Sequence, residues 1–429
     1  MTNDKIRDRI AALSPGKKAL LERRLGERGA APGSGAPGDG SGDEPMMAAQ
    51  HSQNDPRPSA PDAGANAGTD PGADLDFSLL FFSGDGATTN SDKYRLLMEC
   101  AKYADDNGFA AVWTPERHFK PFGGLYPNPS VIAAALAVLT TRVQLRAGSV
   151  VLPLHHPLRV AEEWAVVDNL SGGRVAIAFA SGWLADDFVL APERYGARKE
   201  LMFQEIQTVL KLWRGESLRL SNGKGEETQV RIYPNPVQPE PPVWITATHK
   251  DTFVEAGKIG ANVLTGLMEQ SVEQCGECIR AYRRSLSENG SNPEDGRVAV
   301  MLHTFLGEDL DRVKETVRAP FGDYLRSFLR MTKTSLLPGL QGANGGTEMA
   351  AQDRETLLDF AFERYFNASA LLGTPESCRR MISALKAIDV DEVACLLDFG
   401  LEMETILDGL TSLNRLKDFT AGARRMQQL

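Results

Sequence analysis

The sequence predicts an α/β protein: a (β/α)8 TIM barrel with insertions, preceded by short N-terminal helices and a disordered linker. Three observations carry this. From about Asp76 onward, strand signals and helix signals alternate eight times in roughly 350 residues. Before that point the chain is Gly/Pro/Ala-rich and has no aromatic residue between 30 and 75. Four of the six histidines (His118, His155, His156, His249) fall just after predicted strands, where barrels of this type place their chemistry.

The elements follow in order. Residues 1–29 carry eight bases and four acids, with Ile6, Ile10 and Leu13, then Leu20, Leu21 and Leu25, at helical spacing. Ser14-Pro15 reads as an N-cap followed by proline at the first helical position. Two such short helices bury no core alone. They are either a docking element for a partner or a tail that packs on its own domain. Residues 30–75, with seven acids against Arg57, form the linker. Its glycines lack the preceding strand and following helix that a dinucleotide loop needs.

Residues 76–429 are the barrel domain. Strands are predicted at 77–82, 110–113, 143–152, 175–180, 242–247, 263–265, 298–306 and 392–397. Helices are predicted at 93–107, 129–139, 158–170, 198–213, after the fifth strand to Gly257, and at 270–286 and 375–388. Residues 216–241 read as a hairpin-rich excursion, and the glycines of 331–352 as a mobile loop.

Composition narrows the function. A net charge of −10 argues against nucleic acid as a partner. No apolar run reaches 18 residues, so no membrane span is expected. Without a secretory signal, and with five cysteines that make no disulfide framework, the chain reads as cytoplasmic. Cys275 and Cys278 share a predicted helix with no second pair. No metal is expected, because the histidines lack carboxylates at ligand spacing apart from Glu116. Glu116 reads as an ion-pair partner of Arg117. The turn Thr248-His249-Lys250-Asp251-Thr252 suits a phosphate at a helix N-terminus, or equally an ordinary N-cap.

A resemblance adds to this reading. The segments WTPERHFKPFGGLYPNPSV, RAGSVVLPLHHPLRVAEEWAVVDNLSGGRVAIAFASGW and DDFVLAPERYGARKE resemble the bacterial luciferase-like flavin-dependent monooxygenase family. So do PPVWITATHKDTFVEAGKIGANVLT and LLGTPESCRRMISALKAIDVDEVACLLDFG. The resemblance covers about residues 76–415. The ERHF, GGLYPNPS and DFVLAPERY versions are similar to the subgroup that accompanies polyketide and non-ribosomal peptide assembly lines. The segment RIAALSPGKKALLERRL resembles junction segments of those megasynthases.

The resemblance implies an FMNH2-dependent monooxygenase using O2 through a flavin C4a-peroxide. It would hydroxylate, or insert oxygen into, a natural-product intermediate tethered to an acyl or peptidyl carrier protein or megasynthase module. The alternatives are an F420-dependent oxidoreductase on the same barrel and a non-catalytic flavin-binding scaffold. Reduced FMN would come from a separate flavin reductase, and a homodimer is expected. Flavin contacts carry over to Gly148 and Ser149, the pair matching a non-prolyl cis peptide, to Ala180, Ser181 and Gly182, and to Ala247, Thr248, His249, Lys250 and Thr252. Catalytic roles carry over to Arg117, His118 and His156, with His155 as an alternative to its neighbour. Arg117 stands where the luciferase alpha subunit has its catalytic histidine, and Ala180 where it has a reactive cysteine. The resemblance therefore carries oxygen chemistry rather than light emission.

Overall fold

The computed structural model describes residues 75–82, 84, 92–332 and 351–427. The predicted N-terminal helices, the linker and most of the predicted late loop lie outside these residues.

Eight parallel strands close into a ring. In chain order they are β1 (Asp76–Leu80), β2 (Ala111–Thr114), β3 (Gln144–Val151) and β4 (Val175–Ala180). A hairpin, β5 (Leu218–Ser221) with β6 (Glu227–Val230), interrupts the run as expected for the 216–241 excursion. The ring resumes with β7 (Val243–Thr246), β8 (Asn262–Gly266) and β9 (Val298–Leu306). A short β10 (Leu371–Gly373) extends β9, and β11 (Glu392–Leu396) closes the ring between β9 and β1.

Helices alternate with the strands: α1 (Arg95–Asp106), α2 (Pro129–Leu139), α3 (Pro157–Ser171), α4 (Arg198–Trp213), α5 (Lys250–Lys258) and α6 (Val272–Glu288). After β9 come α7 (Leu310–Thr332), α8 (Ala351–Ala368), α9 (Pro375–Lys386) and α10 (Met403–Gln427). Their starts follow local chemistry. Asn128 accepts from the amides of Ser130 and Val131 ahead of Pro129. Ser271 with Gln274, and Thr374 with Ser377, form reciprocal capping boxes. The sequence reading assigns no helix between the seventh strand and Pro375. The structure places α7 there with Pro320 inside it, a residue that interrupts helical hydrogen bonding. The ends of α7 and α8 also reach into the predicted late loop.

Apolar side chains fill two layers. One packs the outer face of the strands against the helices. The other fills the barrel, where Trp113 and Trp244 meet edge-to-face at 5.1 Å above small neighbours such as Ala176 and Ala299. At the base of the interior, Arg146 pairs with Glu392 at 2.9 Å. Its guanidinium packs against both the Trp113 and the Trp244 ring, at 4.6 and 4.8 Å. Ser78 Oγ and Trp113 Nε1 also donate to Glu392. Buried charges need this degree of satisfaction. Among the described residues no helix is long and apolar enough to cross a membrane.

Candidate active site

The C-terminal ends of the strands form the rim predicted to carry the chemistry. The segment after β2 supplies its most buried charges. Glu116 is fully buried, and its Oε1 accepts from His118 Nε2 at 2.8 Å and from His155 Nε2 at 2.6 Å. Its Oε2 accepts from the amide of Val151 at 2.7 Å. Burial alone would raise the pKa of Glu116. The hydrogen bonds from both histidines, the charge of His155 and the Val151 amide outweigh it and hold the carboxyl below its usual range. Burial pushes His155 down, but its bond to Glu116 and that carboxylate's charge bring it above the ordinary histidine value. The expected Glu116–Arg117 ion pair is thus replaced by a carboxylate shared between two histidines.

Arg117 turns the other way. Its guanidinium lies between the rings of Phe82, at 5.2 Å, and Trp183, at 5.0 Å. Gly123 makes room for it: with φ +81° it takes a left-handed turn, and a Cβ there would lie 2.7 Å from Arg117 Cγ. Asp398 steadies this wall. It accepts from the amides of Phe82 and Gly84 and from the Tyr126 hydroxyl, while the Tyr126 carbonyl accepts from the Arg117 amide at 2.8 Å. Asp187, in the segment after β4, faces Arg117 and His118, and burial raises its carboxyl pKa despite them.

The predicted flavin contacts occupy the neighbouring strand ends. The Gly148–Ser149 peptide is cis, as the resemblance implies. Ser149 Oγ hydrogen-bonds Thr246 Oγ1, tying the ends of β3 and β7. Ala180, Ser181 and Gly182 continue β4 as a run of small residues. Gly182 is confined to glycine by φ +80° and by Phe188 and Val151, which would lie 2.8 and 2.9 Å from a Cβ. Ala247 is buried, whereas Thr248, His249 and Lys250 are exposed where α5 begins. His249 occupies the N-cap position without a side-chain capping bond. An exposed Lys250 at a helix start that no side chain caps suits an anionic phosphate. Thr252 lies in the first turn, its amide donating to the His249 carbonyl. Small residues where a flat ring must approach backbone, beside an uncapped helix N-terminus, fit FMN.

His156 is not brought into this group. It is exposed, and its Nδ1 accepts from the Leu158 amide as the N-cap of α3. The sequence reading missed the hub role of Glu116, the support from Asp398 and the approach of Asp187. The clustering of histidines at strand ends was the available signal for the first. Cys275 and Cys278 lie buried and unbridged on α6, and the described residues contain no cluster suited to a metal.

Comparison with known proteins agrees with this geometry. The family model described as luciferase-like monooxygenase matches residues 74–392. The oxygenase component of a flavin-dependent trigonelline monooxygenase from Acinetobacter baylyi is 25% identical over 323 residues, covering 74% of this chain and 86% of that protein. Limonene 1,2-monooxygenase from Rhodococcus erythropolis is 28% identical over 301 residues, covering 67% and 71%. Among solved structures, the FMN complex of the oxygenating constituent of 3,6-diketocamphane monooxygenase from Pseudomonas putida superposes with a TM-score of 0.64. It is 16% identical and covers 80% of this chain and 96% of that one, a likeness of fold.

Proposed function

Because the chain belongs to the luciferase-like monooxygenase family, we propose that its barrel mouth oxygenates a natural-product intermediate presented on a carrier protein. The protein is a flavin-dependent monooxygenase that uses O2, and its cofactor is reduced FMN. When bound, the reduced flavin supplies the electrons that split O2 between substrate and water. The chain's own residues bind, orient and protonate.

Lys250 and the uncapped start of α5 hold the phosphate. Ser149 and the run Ala180-Ser181-Gly182 seat the ring. Arg117, fixed between two aromatic faces, sets a permanent positive charge where negative charge develops on oxygen. His118, held through Nε2 by Glu116, exchanges a proton with the reacting group. Phe82, Trp183 and the Phe188 segment exclude water. The observation that carries this reading is the convergence on one rim of Arg117, the Glu116-bound His118, the small strand ends and the uncapped α5.

A separate reductase fits a chain whose relative is named as an oxygenase component. Carrier tethering rests on the resemblance to assembly-line relatives and on the basic residues of 1–29. A homodimer is supported by Val131 and Val138 on α2 and Val166 and Leu170 on α3, apolar side chains left exposed on two packed neighbouring helices.

The test is anaerobic titration of the purified chain with FMNH2 and, separately, with reduced F420, followed by O2. Tight FMNH2 binding with O2-dependent reoxidation supports the reading. Preference for F420 sinks it. Removing residues 1–70 should leave FMNH2 binding intact and slow turnover only on carrier-bound substrate. Equal turnover with and without them defeats the tether.

A further inference from the structure

We propose that His155, Glu116 and His118 form a proton relay that connects solvent to the barrel mouth; this rests on the monooxygenase reading above. The geometry is a chain of two short hydrogen bonds meeting at one atom, Glu116 Oε1. Exposure gives it a direction. The His155 side chain is 28% exposed, His118 10% and Glu116 0%. His118 also lines a cleft of about 370 Å³ with Arg117, Phe119 and Lys120. One end of the chain therefore meets water, the middle is sealed, and the other end faces the cleft.

The transfer balances. The transfer starts from the His118 tautomer that carries its proton on Nδ1, so that Nε2 accepts from Glu116 instead of donating to it. His155, protonated on both nitrogens, breaks its Nε2–H bond as an O–H bond forms on Glu116 Oε1. That O–H bond breaks as an N–H bond forms on the free His118 Nε2, and His118 releases its Nδ1 proton into the cleft, leaving the tautomer that donates to Glu116. One proton crosses and Glu116 ends as the carboxylate it began as. The ionisable groups facing His155 are Glu116, Glu163 of α3 and Arg194, whose Nη1 donates to the His155 carbonyl. Those facing His118 are Glu116 and Asp187. The hydrogen bond to Glu116 and that carboxylate's charge favour the protonated form of His155. The second histidine, partly exposed, gives the buried carboxylate one partner in contact with water beside the one that faces the cleft.

Two measurements decide it. The first follows ring-nitrogen NMR titrations of the flavin-free chain. His155 should titrate above the ordinary histidine value and move further up in His118→Gln, because Glu116 then serves one ring. Titration of His155 that ignores His118 overturns the relay. The second follows O2-dependent reoxidation of bound reduced flavin to FMN and hydrogen peroxide, with no substrate present. From the flavin anion this consumes one outside proton. His155→Ala should slow it about tenfold or more, within the range general acid–base groups supply. Free imidazole should restore the rate in proportion to its concentration, with FMNH2 affinity unchanged. An unchanged rate, or a loss that imidazole does not restore, overturns the relay. A wild-type chain that binds no FMNH2 defeats the functional reading instead, and the ring titrations still report whether the two histidines share their carboxylate.

Discussion

Arg117 sits where a planar cation is useful and a flexible one is not. Its guanidinium is held from both sides by Phe82 and Trp183, so it can stabilise charge without first reorganising. Arg117→Ala should therefore lower the rate of oxygen transfer by about 10²–10³-fold, the cost of losing one preorganised donor, with FMNH2 affinity little changed. Stopped-flow kinetics beside a binding titration checks this; a loss confined to affinity would move Arg117 from chemistry to cofactor holding. Arg117→Lys should recover only part of the rate, because an ammonium does not stack in the same slot. The choice of this residue came from the family resemblance, and its place after a strand agrees with a position at the rim. The partners of Glu116 were not legible in the sequence: adjacent charges suggested Glu116–Arg117, whereas the second histidine comes from 39 residues away. Local spacing does not reveal such a pairing.

At the scale of elements, two connections decide what the rim can do. The first is the start of α5, where the exposed Lys250 lies beside amides that no side chain caps. Lys250→Glu reverses the charge there and should raise the FMN dissociation constant at least about tenfold, or some 1.4 kcal/mol, while the thermal midpoint of the flavin-free chain stays put. An unchanged affinity would place the phosphate elsewhere. The second is the link between the β2 and β3 ends through Glu116 and His155. Glu116, with its pKa lowered by folding, contributes stability that is present above its unfolded value and is lost as pH falls through the folded one. His155, raised by folding, contributes stability that is complete below about pH 6.5, its unfolded value, and is lost as pH rises through the folded one. The stability gap between wild type and His155→Ala should thus be widest in mildly acidic buffer and shrink toward alkaline pH. Urea melts across that range test it, and a gap that widens with pH would refute the shared carboxylate. Strand–helix alternation was readable throughout because it is written locally, in periodicity and caps. The helix α7 was not read: Pro320 sits inside it, and it is tied down by Phe321 and Tyr324 against His303 and by Lys314 and Arg318 paired with α8, contacts that local sequence does not show.

At the scale of the whole molecule, the barrel is held at its base by charge as well as by apolar packing. Glu392→Gln leaves Arg146 buried without its counter-charge and should cost about 3–5 kcal/mol. Replacing both by apolar residues of similar volume should cost far less. Equilibrium denaturation of the single and double variants separates the two, and equal losses would mean the pair matters for shape alone. Nothing in the sequence joined these residues, which are 246 positions apart; only closure of the ring does.

That plug has a kinetic consequence. With Arg146, Glu392, Trp113 and Trp244 buried together at its floor, the described interior is packed solid at that end, and a guest taken in at the opposite rim leaves by the way it came. Guests that share that rim pass it in order. Whatever settles deepest must arrive first and leave last. A bulky guest standing in the entrance detains the one behind it.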